Sequence, residues 1–137
     1  MSESKRFSYV LTKEAIFPDD ALPFLPLKLS RGTETIEVLG LADSGATINV
    51  LPYQMGLKLG GVWENQMPLS RLSGNLGNYE SRGLIVMAQI ADFEPVKLAF
   101  AWTEAEDIPV ILGQINFFSL FDVCFLRQDN EFEIKMR

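Results

Sequence analysis

Short apolar runs, each cut off by a turn, limit what this chain can fold into. Arg6 to Thr12 alternates weakly between polar and apolar residues. Pro23-Phe-Leu-Pro-Leu-Lys-Leu29 carries two prolines, which suits an edge strand or the entry to one. Arg31-Gly32 reads as a hairpin turn into the alternating Thr33 to Leu39. Ile48-Asn-Val-Leu51 is a further short strand ended by Pro52, and Tyr53 to Leu59 suits a two-turn helix closed by Gly60-Gly61. Leu69 to Ala88 reads as a long hairpin whose return arm, Leu84 to Ile90, is a continuous apolar run fit for a buried strand. After the turn Ala91-Asp92, Phe93 to Trp102 puts Val96, Leu98 and Phe100 on one face. Thr103 to Asp107 reads as a solvated loop and Ile108 to Leu112 as a buried strand ended by Gly113. Gln114 to Phe121 suits a short helix, and Asp122 to Leu126 and Glu131 to Met136 make two last strands around a turn at Gln128 to Asn130. Strands dominate, so the expected class is all-β with one or two short helices.

With 137 residues, no linker and no repeat, the chain is expected to be one domain, residues 1–5 forming a flexible tail. At 47% apolar residues it can bury a core without metal or disulfide staples. A single cysteine, Cys124, excludes an intrachain disulfide; it lies in an apolar strand and is expected to be an inert, buried thiol. The absence of histidine excludes Cys/His zinc sites and every Ser-His-Asp or Cys-His mechanism. Chemistry must therefore come from carboxylates, hydroxyls, lysines or backbone, and neither metal nor cofactor is expected. A net charge of −6 argues against nucleic acid and anionic membrane as partners. No segment reads as a secretory signal or a spanning helix, so a cytoplasmic protein is expected.

The segment that carries chemistry is Val38 to Pro52. An apolar strand runs into Asp43-Ser44-Gly45 and leaves through a second apolar strand, so the loop projects a carboxylate from a rigid floor. Gly45 removes side-chain bulk and lets another loop come close. Ser44 can hydrogen-bond a neighbouring backbone. Taken alone, the tripeptide also reads as a turn in which Asp43 caps backbone donors.

These residues resemble the retropepsin family of retroviral-type aspartic proteases. The match is Asp43-Ser44-Gly45-Ala46-Thr47 between apolar strands. Pro109-Val-Ile-Leu-Gly113 is similar to the family's strand behind the catalytic loop, with Ile111, Leu112 and Gly113 in the matching places, and Gln114 to Leu120 stands where the family has a helix. Arg71 to Tyr79 is similar to the glycine-rich flap, with Gly74, Asn75, Leu76 and Gly77 at its tip. An ordinary long hairpin reads the same residues without a flap. The resemblance spans approximately residues 23 to 126. It implies a closed β-barrel, Asp43 as the catalytic residue, Ser44, Gly45, Ala46 and Thr47 as loop support, and a polypeptide substrate.

Aspartic proteolysis needs two carboxyls sharing one proton, and this sequence holds only one Asp-(Ser or Thr)-Gly. Two copies meeting on a two-fold axis would supply the pair, which is also the arrangement the resemblance implies. Lys5 to Leu11 and Glu131 to Arg137 are candidate dimer strands, because termini interleave in retroviral members. Trp63, Trp102, Phe117 and Phe118 are expected in core or interface. Rival readings are a non-catalytic module of the same fold that binds a peptide or only dimerises, and an unrelated β-barrel in which Asp43 caps a turn.

Overall fold

A computed structural model describes residues 3–11, 20–69 and 79–137. Its strands are β1 (Lys5–Ser8), β2 (Phe24–Arg31), β3 (Glu34–Ala42), β4 (Asn49–Leu51), β5 (Ser81–Gln89), β6 (Val96–Thr103), β7 (Val110–Leu112), β8 (Phe121–Leu126) and β9 (Glu131–Met136). Two helices, α1 (Tyr53–Lys58) and α2 (Phe117–Leu120), and two 3-10 turns at Trp63–Asn65 and Arg127–Asp129 complete the description. Among the described residues, six strands close into a barrel in the order β2-β3-β7-β4-β6-β5, and the other three form a sheet in the order β1-β9-β8. The chain is all-β, as its sequence texture implies.

Alternation builds the barrel interior. Leu25, Leu27 and Leu29 of β2 point inward with Leu84, Val86 and Ala88 of β5 and Leu98, Phe100 and Trp102 of β6. Burying each large side chain contributes about 1.5–3 kcal/mol. Gly40 of β3 is a packing glycine, since a Cβ there would stand 2.8 Å from Leu27 Cδ1. A second aromatic layer, Phe117, Phe121 and Phe132, joins barrel to sheet; the Phe117 and Phe121 rings stack at 5.2 Å. The expected core positions hold, with Trp102 and Phe117 fully buried and Trp63 and Phe118 packed against the same core.

Several turns follow their residues. Gly32, at φ 61°, makes the β2–β3 hairpin, and Gly60, at φ 76°, ends α1 with an N–H bonded to the Leu57 carbonyl at 2.9 Å. Asn130 takes the left-handed conformation between β8 and β9.

Other expectations are corrected. Of the two alternatives for the prolines, the entry holds, since Pro23 directly precedes β2, while β2 itself is no sheet edge in the closed barrel. Pro26 is tolerated because β5 bonds β2 only along Lys28 to Ser30, so the missing N–H falls where β3 is the one neighbour. The apolar run in β5 is not buried throughout. Ile85 is 64% exposed and Met87 37%, because the outer face of the barrel is open there. The helix expected over Gln114 to Phe121 shrinks to Phe117–Leu120, since residues 114 and 115 form backbone bonds to another loop. The loop after β6 is solvated at Glu104, Glu106 and Asp107 as expected, but Thr103 and Ala105 are buried and anchor it. Cys124 is exposed, not buried, because β8 is an edge strand. Lys5 to Ser8 and Glu131 to Ile134, the candidate dimer strands, pair with each other within the chain, which leaves their part in a dimer an expectation. The flap candidates Gly74, Asn75, Leu76 and Gly77 lie outside the described residues; among the described ones, Pro68 bridges Arg82 at the start of β5. Among the described residues no helix is long and apolar enough to cross a membrane.

Candidate active site

Asp43 follows directly on β3, whose last residues run parallel to β7: Gly40 beside Val110, Leu41 beside Ile111, Ala42 beside Leu112. The ladder continues one step, as the Asp43 N–H donates to the Leu112 carbonyl at 3.0 Å. The chain then turns. The Ala46 N–H donates to the Asp43 carbonyl at 3.0 Å, and the Gly45 N–H donates to Asp43 Oδ1 at 2.9 Å. The carboxylate is half-buried and fixed by one backbone donor, while Ser44 and Gly45 are exposed beside it. Among the described residues no lysine or arginine pairs with it.

A plank of four residues, 112–115, carries this loop. Beyond the Leu112 carbonyl, the Gln114 N–H donates to the Ala46 carbonyl at 2.9 Å and the Ile115 N–H to the Thr47 carbonyl at 2.8 Å. Gln114 Nε2 also donates to the Ser44 carbonyl at 2.7 Å. The Gly113 N–H finds its acceptor in Asn49 Oδ1 at 2.8 Å. A Cβ on Gly113 would stand 2.5 Å from the Ile48 carbonyl oxygen, so this crossing requires glycine. Of the three residues expected behind the loop, Leu112 bonds Asp43, Ile111 pairs with Leu41 and Gly113 bonds Asn49, while Gln114 and Ile115 bond Ala46 and Thr47.

Three side chains in this framework carried no signal recognised in the sequence. Asn49 is fully buried, and its Nδ2 donates to the Ala99 carbonyl at 3.1 Å and to Asn116 Oδ1 at 3.0 Å. Asn116 Oδ1 accepts the Ala99 N–H at 3.1 Å and its Nδ2 donates to the Lys97 carbonyl at 3.1 Å. The third is Gln114. Two amide side chains thereby replace ladder bonds where β4, β6 and the plank converge; an Asn inside an apolar strand at residues 48–51 was the available hint.

Asp43 lies in a groove of about 310 Å³ shared with Leu22, Pro23, Leu41, Ala42, Ser44 and Phe125. A larger hollow of about 570 Å³ lies elsewhere on β2 and β3, lined in part by Lys28, Glu37 and Gln89, and includes none of residues 43–47. The smaller groove is the better candidate, because a rigidly seated carboxylate stands in it. Among the described residues no group of three or more His, Cys, Asp or Glu is placed to hold a metal ion.

No family model matches the chain, and no curated protein does. Solved structures do. A retropepsin-like aspartic protease from Rickettsia conorii is similar over 99% of this chain and 94% of its own, with a TM-score of 0.63 at 12% identity. EIAV protease complexed with an inhibitor is similar over 73% of this chain and 88% of its own, with a TM-score of 0.54 at 21% identity. The barrel, the loop seated on a crossing glycine and these likenesses together give the chain a retropepsin-like fold.

Proposed function

We propose that this chain is one subunit of a homodimeric aspartic endopeptidase, with Asp43 from each copy forming the catalytic pair. The observation that carries the reading is the seating of Asp43: a half-buried carboxylate in a groove, its loop bonded at residues 43, 44, 46 and 47 to the plank at 112–115. An isolated carboxylate has no partner with which to divide acid and base roles. A second copy related by a two-fold axis would supply one.

In that pair, close like charges keep one carboxyl protonated. The ionised Asp43 takes a proton from a water held between the two, and the hydroxide oxygen bonds to the peptide carbonyl carbon. The protonated carboxyl hands its proton to the carbonyl oxygen, giving a neutral gem-diol. The carboxyl that took the water's proton then gives it to the amide nitrogen, while a gem-diol hydroxyl returns its proton to the other, ionised carboxyl. The C–N bond breaks with its electron pair leaving on nitrogen, giving an acid and an amine, the carboxyl pair restored and no covalent enzyme intermediate. Ser44 would brace the opposite loop, Gly45 would allow the close loop contact, and the Gly45–Ala46 backbone would help line the cleft beside an extended polypeptide, with Thr47 as loop support. Residues 74–77, as a flap, would close over that substrate and exclude water.

Cleavage of a denatured protein across a range of pH, by wild type and by Asp43→Asn, tests the proposal. Loss confined to the variant, with its fold intact, supports it. Equal cleavage by both sinks it and leaves a non-catalytic module of the same fold.

A further inference from the structure

The groove that holds Asp43 is walled by two segments far apart in sequence: Leu22-Pro23, just before β2, and the end of β8 at Phe125. Asp43 is the one charged residue of the lining, so what else the groove admits is set by its width. Leu22 meets Val10 in an isolated bridge, the Val10 N–H donating to the Leu22 carbonyl at 2.8 Å and the Leu22 N–H to the Val10 carbonyl at 3.0 Å. The Pro23 carbonyl accepts the N–H of Ala42, directly before Asp43, at 3.0 Å. Pro23 has no N–H of its own to add. Segments held by so few backbone bonds open locally at little cost.

One side chain braces this wall. Arg127 opens the 3-10 turn that follows β8, just beyond Phe125 and Leu126. Its Nη1 donates to the Ala21 carbonyl, and its guanidinium lies over the Tyr9 ring, 5.2 Å from the centroid. Ala21 precedes Leu22 and Tyr9 precedes Val10, so the guanidinium grips both limbs of the bridge at once. Tyr9 is fastened in turn: its N–H donates to the Asn130 carbonyl at 2.7 Å, and its ring packs 6.0 Å from that of Phe132. A charged donor on a carbonyl and a cation on an aromatic face are each stronger than a neutral contact. Among the described residues no other side chain hydrogen-bonds residues 21–23.

We propose that Arg127 is a positioning residue for the Asp43 groove. By holding Ala21 and Tyr9 from the turn after β8, it sets the separation of the Leu22–Pro23 wall from the Phe125 wall. The separation in turn decides which side chains of a polypeptide the groove admits. That last step rests on the endopeptidase reading above; the bracing of the wall does not. Arg127 acts through the wall and not on the reacting atoms.

The test uses the full chain with two variants. Arg127→Met keeps an unbranched stem but loses the donors and the charge, and Arg127→Lys restores a cationic donor. Amide hydrogen exchange, read by NMR, should be about tenfold faster in Arg127→Met at Leu22 and Ala42. It should be partly restored in Arg127→Lys and unchanged at Leu29 and Phe100 of the barrel. Unchanged exchange at Leu22 and Ala42 overturns the proposal, and so does a rise shared by Leu29 and Phe100, which marks general destabilisation. Unfolded casein digested by each protein, with the cut sites read by mass spectrometry, gives the second readout. Arg127→Met should alter the relative use of sites, and Arg127→Lys should move it back. A lower overall rate with the same relative site use overturns the role in setting the groove. If wild type leaves casein whole, the endopeptidase reading falls, and the exchange result alone decides whether Arg127 sets the wall.

Discussion

Asn49 Oδ1 accepts the N–H of Gly113 at 2.8 Å across 64 residues of sequence, a side-chain bond that joins the backbone pairings in fastening the strand leaving the Asp43 loop to the plank beneath it. Asn49 is fully buried, so no water can substitute for the side chain. Asn49→Leu, similar in branching, strands the Gly113 donor and removes a donor from the Ala99 carbonyl, while Asn116 Oδ1 keeps the Ala99 N–H. Each unsatisfied buried group costs about 1–3 kcal/mol. A urea titration should show a midpoint lowered accordingly at unchanged slope; an unshifted midpoint would mean that the amide network adds nothing.

Two glycines should fail in different ways. A Cβ on Gly113 collides with the Ile48 backbone at 2.5 Å, and neither strand can yield without disturbing the crossing. Gly113→Ala should lower stability by about 1–3 kcal/mol or more. A Cβ on Gly45 meets only Asp43 Oδ1, at 3.2 Å, at an exposed loop. Gly45→Ala should leave thermal unfolding nearly unchanged, within about 0.5 kcal/mol, and reduce peptide cleavage. Thermal scans and cleavage rates on both variants check the contrast; a stable, active Gly113→Ala contradicts it.

Gln114 supplies the one side-chain bond from the plank to the Ser44 carbonyl, at 2.7 Å. Gln114 is exposed, so its loss should spare the fold. Gln114→Leu releases the carbonyl end of the Ser44–Gly45 peptide, whose N–H stays bonded to Asp43 Oδ1, and a misplaced reacting group can cost up to about a hundredfold. We expect kcat to fall by about tenfold with KM little changed, since the bond orients the loop and touches no substrate. Partial recovery in Gln114→Asn, or an unaltered kcat in Gln114→Leu, decides between positioning and indifference.

The Lys5–Asp92 pair ties the three-stranded sheet to the turn between β5 and β6, Nζ standing 3.1 Å from Oδ1. Its hydrogen bond with Lys5, and then the ammonium charge, hold the Asp92 carboxyl below the usual carboxylate range, while Asp92 raises Lys5 above the usual lysine range. A lowered carboxyl stabilises the fold above its unfolded range and loses that effect as pH falls through its folded value. A raised ammonium stabilises below its unfolded range and loses the effect as pH climbs through its folded value. Asp92→Asn should therefore lower the melting temperature slightly near neutral pH, the gap closing in acid and again in strong base. A constant gap across pH would assign the effect to something other than charge.

The sequence made the barrel legible because its strands alternate, as Val96, Leu98 and Phe100 do, and because Gly32, Gly60 and Asn130 mark turns that need a left-handed backbone. The Asp43 loop and the strand behind it were legible for a related reason: apolar runs on either side of small polar residues leave few local alternatives. What escaped depends on tertiary neighbours. The inner and outer faces of β5 read alike, because Ile85 and Met87 are as apolar as Leu84 and Val86. Cys124 looked buried because an exposed edge strand carries the same composition as an inner one. Asn49 and Gln114 looked like ordinary polar residues, since their partners lie 64 and 70 residues away. Pairing of the two termini with each other is likewise invisible locally.

Mixing decides the central claim most directly. When wild type is equilibrated with an equal amount of Asp43→Asn, random pairing leaves about one quarter of the dimers with both carboxyls. If each active centre needs Asp43 from two copies, cleavage per total protein should fall to about a quarter of the undiluted value. A fall to about one half, the simple dilution of a self-sufficient chain, would contradict the account.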